Sequence, residues 1–210
     1  MAVITISRQY GAGGKTLGQL IAKKLNYTLV NEEIVEKIAE KANVSRDWVE
    51  DFEKEAGGAL QKFMSGLIST SYVERILGKE KGFLDEDKYV ESLHEIITQI
   101  AKEDNIVFIG RGGQYILQDH PKAFHILLIA EKVDRINFMK KHYGLSYGEA
   151  TQVVETMGKR RANLYKRFGK KDFDKPELYH VVLNMSKLSM EEASDFVYRM
   201  VADLVCHLAE

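Results

Sequence analysis

Ile4-Thr5-Ile6-Ser7-Arg8-Gln9-Tyr10-Gly11-Ala12-Gly13-Gly14-Lys15-Thr16-Leu17-Gly18 is the stretch on which the rest of the chain turns. A short apolar run, Ala2–Ile6, predicts a buried strand. Leu17, Leu20, Ile21 and Leu25 then fall on one face of a helix. Between strand and helix, Gly11, Gly13 and Gly14 permit backbone angles closed to other residues. Successive backbone N–H groups in such a turn can point inward and cradle an anion. A helix that begins near Lys15 adds its unsatisfied N–H groups and the positive end of its dipole. The combination suits phosphate; the plainer alternative is a tight strand-to-helix turn that binds nothing. The pattern G-x-x-x-x-G-K-[ST] is met only at its end, by Gly14-Lys15-Thr16, because Gln9 stands where its first glycine belongs.

Outward from this unit, further apolar runs predict strands at Tyr27–Val30, Ile106–Ile109, Phe124–Ala130 and Tyr179–Leu183. They show little polar alternation, as strands covered on both faces do. A long helical region is expected over roughly 32–104, with residues from about 43 to 104 forming an insertion between two core strands. That insertion reads as a cap over a site, as a helical elaboration or as the surface of a homodimer. Ser146-x-x-Glu149 and Ser189-x-x-Glu192 are capping boxes that open two later helices. In the last helix, Ala193, Phe196, Val197, Met200, Val201, Leu204, Val205 and Leu208 form an apolar stripe suited to docking on a sheet. Strands alternating with helices imply parallel β-α-β units, hence an α/β protein of one domain over residues 1–210.

Several classes fall away on composition. The chain has 45% hydrophobic and 29% charged residues, the balance of an ordinary globular protein. With 30 basic and 31 acidic residues the net charge is −1, so only local charge can select a polyanion. A single cysteine, Cys206, excludes an internal disulfide framework and a thiolate zinc site. The six histidines lie far apart, with no pair at metal-ligand spacing. The N-terminus has no signal-peptide pattern and no run is long enough to span a bilayer, so a cytoplasmic location without a membrane partner is expected.

Three blocks resemble the cytidylate kinase-like family, relatives of the P-loop nucleoside monophosphate kinases. They are the opening stretch with Ala22-Lys23-Lys24-Leu25-Asn26-Tyr27; Ile106-Val107-Phe108-Ile109-Gly110-Arg111-Gly112-Gly113 with Phe124–Ala130; and the basic segment Lys159–Lys171 with Tyr179–Asn184 and Leu188–Ala193. The resemblance implies a P-loop kinase fold, a five-stranded parallel sheet between helices. It also implies ATP and Mg2+ as cofactors, and γ-phosphoryl transfer to a nucleoside monophosphate. On this resemblance Arg8, Gly11, Ala12, Gly13, Gly14, Lys15 and Thr16 would bind the cofactor, with Thr16 as the Mg2+ ligand. Lys15, Arg111, Arg160, Arg161 and Arg167 would be the catalytic cations.

The chain also departs from the family pattern. Cytidylate kinases carry G-x-x-G-x-G-K-[ST]. Aligned without gaps, Gly11 and Gly13 match, Arg8 replaces the first glycine, Gly14 the lysine and Lys15 the hydroxyl. Ile109-Gly110-Arg111-Gly112 stands where those enzymes have D-G-R-D, and Asn31-Glu32-Glu33 where they have D-T-G.

Lys159, Arg160, Arg161, Lys166, Arg167, Lys170 and Lys171 form a local positive field without an acid among them. Arg160 and Arg167 are seven residues apart, two turns along one helix face. The resemblance makes this segment, about 157–172, the lid over ATP. A solvated helix face is the second reading. Nucleic acid, with Tyr165 and Phe168 as stacking groups, is the least favoured. Two functions remain: a kinase acting on a CMP- or dCMP-like nucleotide or a related small acceptor, or a catalytically degenerate protein of the same fold that binds a nucleotide or anion.

Overall fold

The computed structural model describes residues 2–31, 86–169 and 172–207. Five parallel strands, β1 (Val3–Arg8), β2 (Thr28–Val30), β3 (Ile106–Ile109), β4 (Ala123–Ile129) and β5 (Val181–Asn184), form one sheet in the order β2-β3-β1-β4-β5. β1 lies at its centre, with Ile4 opposite Val107 on one side and Phe124 on the other. Every residue of β1 is buried, which parallel pairing on both edges and helices on both faces require.

The period of two along each strand sorts side chains between two cores. Ile4, Ile6, Val107, Ile109, Ile126 and Leu128 face α1 (Gly14–Leu25) and the terminal helix. Val3, Val30, Ile106 and Phe108 face α2 (Glu86–Ala101), which presents Leu93, Ile96, Ile97 and Ile100 at helical spacing. α2 is the described end of the span expected as an insertion, and its buried stripe belongs to the core of the sheet. The remainder of that span, with the cap and dimer readings, lies outside the described residues.

After β3 comes a one-turn helix, α3 (Gly113–Ile116). After β4, α4 (Lys132–Tyr143) and α5 (Tyr147–Arg167) pack together through Ile136, Met139, Ala150, Val153, Val154 and Met157. The chain ends in α6 (Met190–His207). Both capping boxes are present: Ser146 caps Glu149 N–H, Ser189 caps Glu192 N–H, and each glutamate returns a bond.

Three expectations needed adjustment. β1 continues through Ser7 and Arg8, polar residues that remain buried at its end. β5 starts two residues later than the apolar run suggested, because Pro176–Leu178 forms a 3-10 turn and Tyr179 stays outside the strand. In α6, Ala193, Val197 and Val201 are buried but Phe196 is 48% exposed, so the stripe is narrower than the sequence implied.

Candidate phosphate-binding site

The site sits at the carboxyl end of β1, where the chain leaves the sheet centre and turns into α1. Gln9 ties the turn to β4: its N–H donates to Leu128 O (2.9 Å), and its side-chain oxygen accepts from Ala130 N–H (3.1 Å). Ala12 N–H closes the turn on Gln9 O. Gly11 (φ +89°) and Gly13 (φ +81°) are left-handed, as a nest of inward N–H groups needs. Gly13 is also the residue before the first turn of α1 and offers no side-chain cap to its N–H groups. Lys15 and Thr16, second and third in the helix, are half-buried there, and Ala12 is buried.

Arg135 braces the turn from outside. Its Nε donates to Ala130 O (3.1 Å) and its Nη1 to Tyr10 O (3.3 Å). α4 runs so close that a Cβ on Gly11 would stand 2.8 Å from both Arg135 Cβ and its carbonyl oxygen. Burial first, then the charge of Arg161, hold the Arg135 guanidinium below its ordinary pKa. Sequence reasoning passed over Arg135, because one arginine in an amphipathic helix carries no local signal.

Arg8 leaves the end of β1 and lies between the turn and β3. A Cβ on Gly14 would approach its Cγ to 2.9 Å, and one on Gly110 would approach its Nη1 to 2.4 Å. Arg8 is 9% exposed. Next to it, Gly110 (φ +72°), Arg111 (φ +54°) and Gly112 (φ +76°) are three successive left-handed residues. Arg111 is uncommon among non-glycine residues in this region, a conformation the surroundings must impose. Part of that enforcement comes from Phe168, the residue that caps the end of α5, whose ring fills the place of a Gly112 side chain.

The five catalytic candidates separate. Lys15 and Arg111 lie half-buried at the ends of the turn and of β3. Arg160 and Arg167 are exposed on α5. Arg161 points inward from the same helix: its two terminal nitrogens grip the Asp174 carboxylate, and Nη2 also donates to Ser7 Oγ (3.0 Å). Its guanidinium carbon lies 4.8 Å from the centre of the Tyr165 ring and 5.1 Å from that of Phe173. Burial, the strongest influence, disfavours the charge of Arg161, but Tyr165 and Asp174 outweigh it and raise its pKa. Tyr165 OH meets Ser7 Oγ at 3.1 Å. Burial, then Tyr165, push the neighbouring Tyr115 phenol up to about 12, so it stays a neutral donor, here to Phe173 O. A sequence signal for Arg161 did exist: Met157, Arg161 and Tyr165 share the i, i+4 row that is buried along α5.

The described residues do not fit a Mg2+ ion held by the protein. Ile109 occupies the position of the metal-organising acid, is 2% exposed, and belongs to the core against α1. Asp174 is engaged by Arg161. Among the described residues no group of three or more His, Cys, Asp or Glu could hold a metal ion. Thr16 is the hydroxyl left at the turn. Likewise, among the described residues no helix is long and apolar enough to cross a membrane.

Comparison with solved structures places this arrangement among the P-loop kinases in fold. An uncharacterized protein from Eubacterium ventriosum ATCC 27560 superposes with a TM-score of 0.69 at 16% identity, covering 96% of this chain and 98% of that one. A gluconokinase from Sinorhizobium meliloti 1021 gives 0.53 at 13% identity, over 99% and 95%. No curated protein matches. The model of one family spans residues 3–187, which includes the glycine turn, the β3 end and the basic helix: the chain belongs to the cytidylate kinase-like family.

Proposed function

We propose that the chain binds the phosphates of ATP at Gly11–Thr16 and, in the cytoplasm, transfers the γ-phosphoryl group to a nucleoside monophosphate of the CMP or dCMP type or to a related small acceptor. One observation carries this reading. The left-handed Gly11 and Gly13 and the uncapped start of α1 stand together at the carboxyl end of the central strand. Ligands of open parallel sheets bind at that end, and anions bind at such helix starts. P-loop kinases generally use ATP with Mg2+, and phosphoryl transfer asks for positioning and charge neutralisation rather than covalent help. Here the candidate cations are Arg8, Lys15 and Arg111 at the sheet end, with Arg160 and Arg167 on the exposed face of α5. Arg161 would hold α5 in place over Ser7 rather than meet the phosphates.

The buried Ile109 favours a second reading, binding without turnover, since Ile109-Gly110-Arg111-Gly112 at the end of β3 carries no carboxylate. Calorimetry with ATP, combined with a transfer assay over nucleoside monophosphates and small hydroxyl acceptors, separates the two. Transfer that is lost in Arg111→Ala supports the kinase; tight binding with no transfer supports the second reading; no binding sinks both.

A further inference from the structure

We infer that Arg8 is the cation of the phosphate site, delivered from the strand along a track of two glycines, and that it stands in for a divalent ion. The inference rests on the phosphate-binding reading above. Gly14 is the decisive residue. Its backbone is helical, not left-handed, so any L-residue could adopt it. What excludes a side chain is the stem of Arg8: a Cβ on Gly14 would stand 2.9 Å from Cγ and 3.0 Å from Cδ. These are mid-chain atoms, which cannot swing aside without moving the whole arginine. Where the family pattern has lysine, this chain has the space its arginine needs.

The track continues to β3. Arg8 Nη1 would lie 2.4 Å from a Cβ on Gly110, so the guanidinium rests against the residue that follows Ile109. That is the position from which an acid would organise a metal ion. The acid is gone, its successor Ile109 has joined the core, and a fixed positive charge lies beside the vacated place. An arginine that is 9% exposed interacts with phosphate through a lower effective dielectric than a surface cation does. Arg8 also acts electrostatically on Tyr165, so the charge sits among α1, β3 and α5. Three departures from the family pattern, at positions 8, 14 and 109, thus have one physical explanation.

The test is calorimetric titration of ATP into the full chain, once in excess EDTA and once in Mg2+. Wild type should bind in EDTA within about threefold of its affinity in Mg2+, and Arg8→Met, which keeps the stem and removes the charge, should lose about tenfold or more in EDTA. A second readout needs no ligand. Gly14→Ala should lower the melting temperature in the wild-type background and have little effect in an Arg8→Ala background. Binding that requires Mg2+, Arg8→Met binding as wild type does, or equal Gly14→Ala effects in both backgrounds would each overturn the inference while leaving the phosphate site standing. Wild type that binds ATP under neither condition overturns the phosphate reading itself, and the inference with it.

Discussion

Arg161 and Asp174 form a two-pronged ion pair that joins α5 to the segment before β5, and Arg161 extends it to Ser7 at the end of β1. The arginine side chain is 11% exposed and the carboxylate 31%. Removing one partner from such a pair leaves a desolvated charge uncompensated. Asp174→Asn should therefore destabilise the protein by about 3 kcal/mol, and Arg161→Ala by a similar amount. The double variant should cost less than the sum, since neither charge is then stranded. Urea unfolding of the four proteins checks this; additive losses would mean the pair contributes nothing as a pair.

Gly11 tests the turn. Alanine there would have to adopt φ +89° and would bring its Cβ within 2.8 Å of the Arg135 backbone oxygen. Neither strain has a cheap escape, because α4 is anchored to α5 by its own core. Gly11→Ala should cost about 1–3 kcal/mol and weaken nucleotide binding in parallel. A variant with unchanged melting temperature would show that α4 yields to the turn.

Much of this arrangement was legible in the sequence, and what was not has a common cause. The apolar runs around Ile4, Val107 and Ile126 are continuous because both faces of those strands are covered, and the sheet follows from them. The left-handed glycines announced the turn. Ser7 and Arg8 escaped assignment to β1 because they are polar, and the reasons for their burial lie far away, in Tyr165, Arg161 and Gly110. Ser7 and Arg161 are 154 residues apart, and only the docking of α5 brings them together. Local periodicity specifies a strand or a helix face; it does not specify which charge on that face finds which distant partner. Arg135 and Asp174 were invisible for the same reason. Phe196 shows the opposite error, an apolar residue counted into a stripe that buries Ala193, Val197 and Val201 while Phe196 is 48% exposed.

His125 sets a pH dependence. It lies inside β4, 4% exposed, with Nδ1 at 2.7 Å from Thr5 Oγ1, and its backbone N–H donates to Nδ1 of His180. Burial first, then the charge of His180, hold its pKa down at about 4. The folded state therefore keeps His125 neutral, while the unfolded chain protonates it near pH 6.5. Stability from this group is complete above about pH 6.5, falls as the pH drops, and levels off once the pH passes below the folded value. Between pH 7.5 and pH 4.5 the loss from His125 should be about 2 kcal/mol. His125→Gln should flatten that part of the curve while His180, shifted the same way by burial, keeps its own share. Denaturant titrations at the two pH values measure both slopes, and identical slopes would show that His125 is not held neutral in the fold.

Arg160 and Arg167 separate binding from stability. Both are exposed on α5, unlike Arg161. Arg160→Ala with Arg167→Ala should leave unfolding free energy within about 0.5 kcal/mol of wild type. If they close on a bound triphosphate, ATP affinity should fall about tenfold or more, two charge-assisted contacts being lost. The same pair distinguishes the nucleic-acid alternative. A single strand held along the basic helix would give steep salt dependence, and removing two cations would reduce that slope by about 1.4. Of Tyr165 and Phe168, expected as stacking groups in that case, Tyr165 is 1% exposed and Phe168 is half-buried with its ring against Gly112. Oligonucleotide affinity in this protein should thus be weak and indifferent to base, while the ATP affinity responds to both arginines. The reverse pattern would assign the basic helix to nucleic acid instead of ATP.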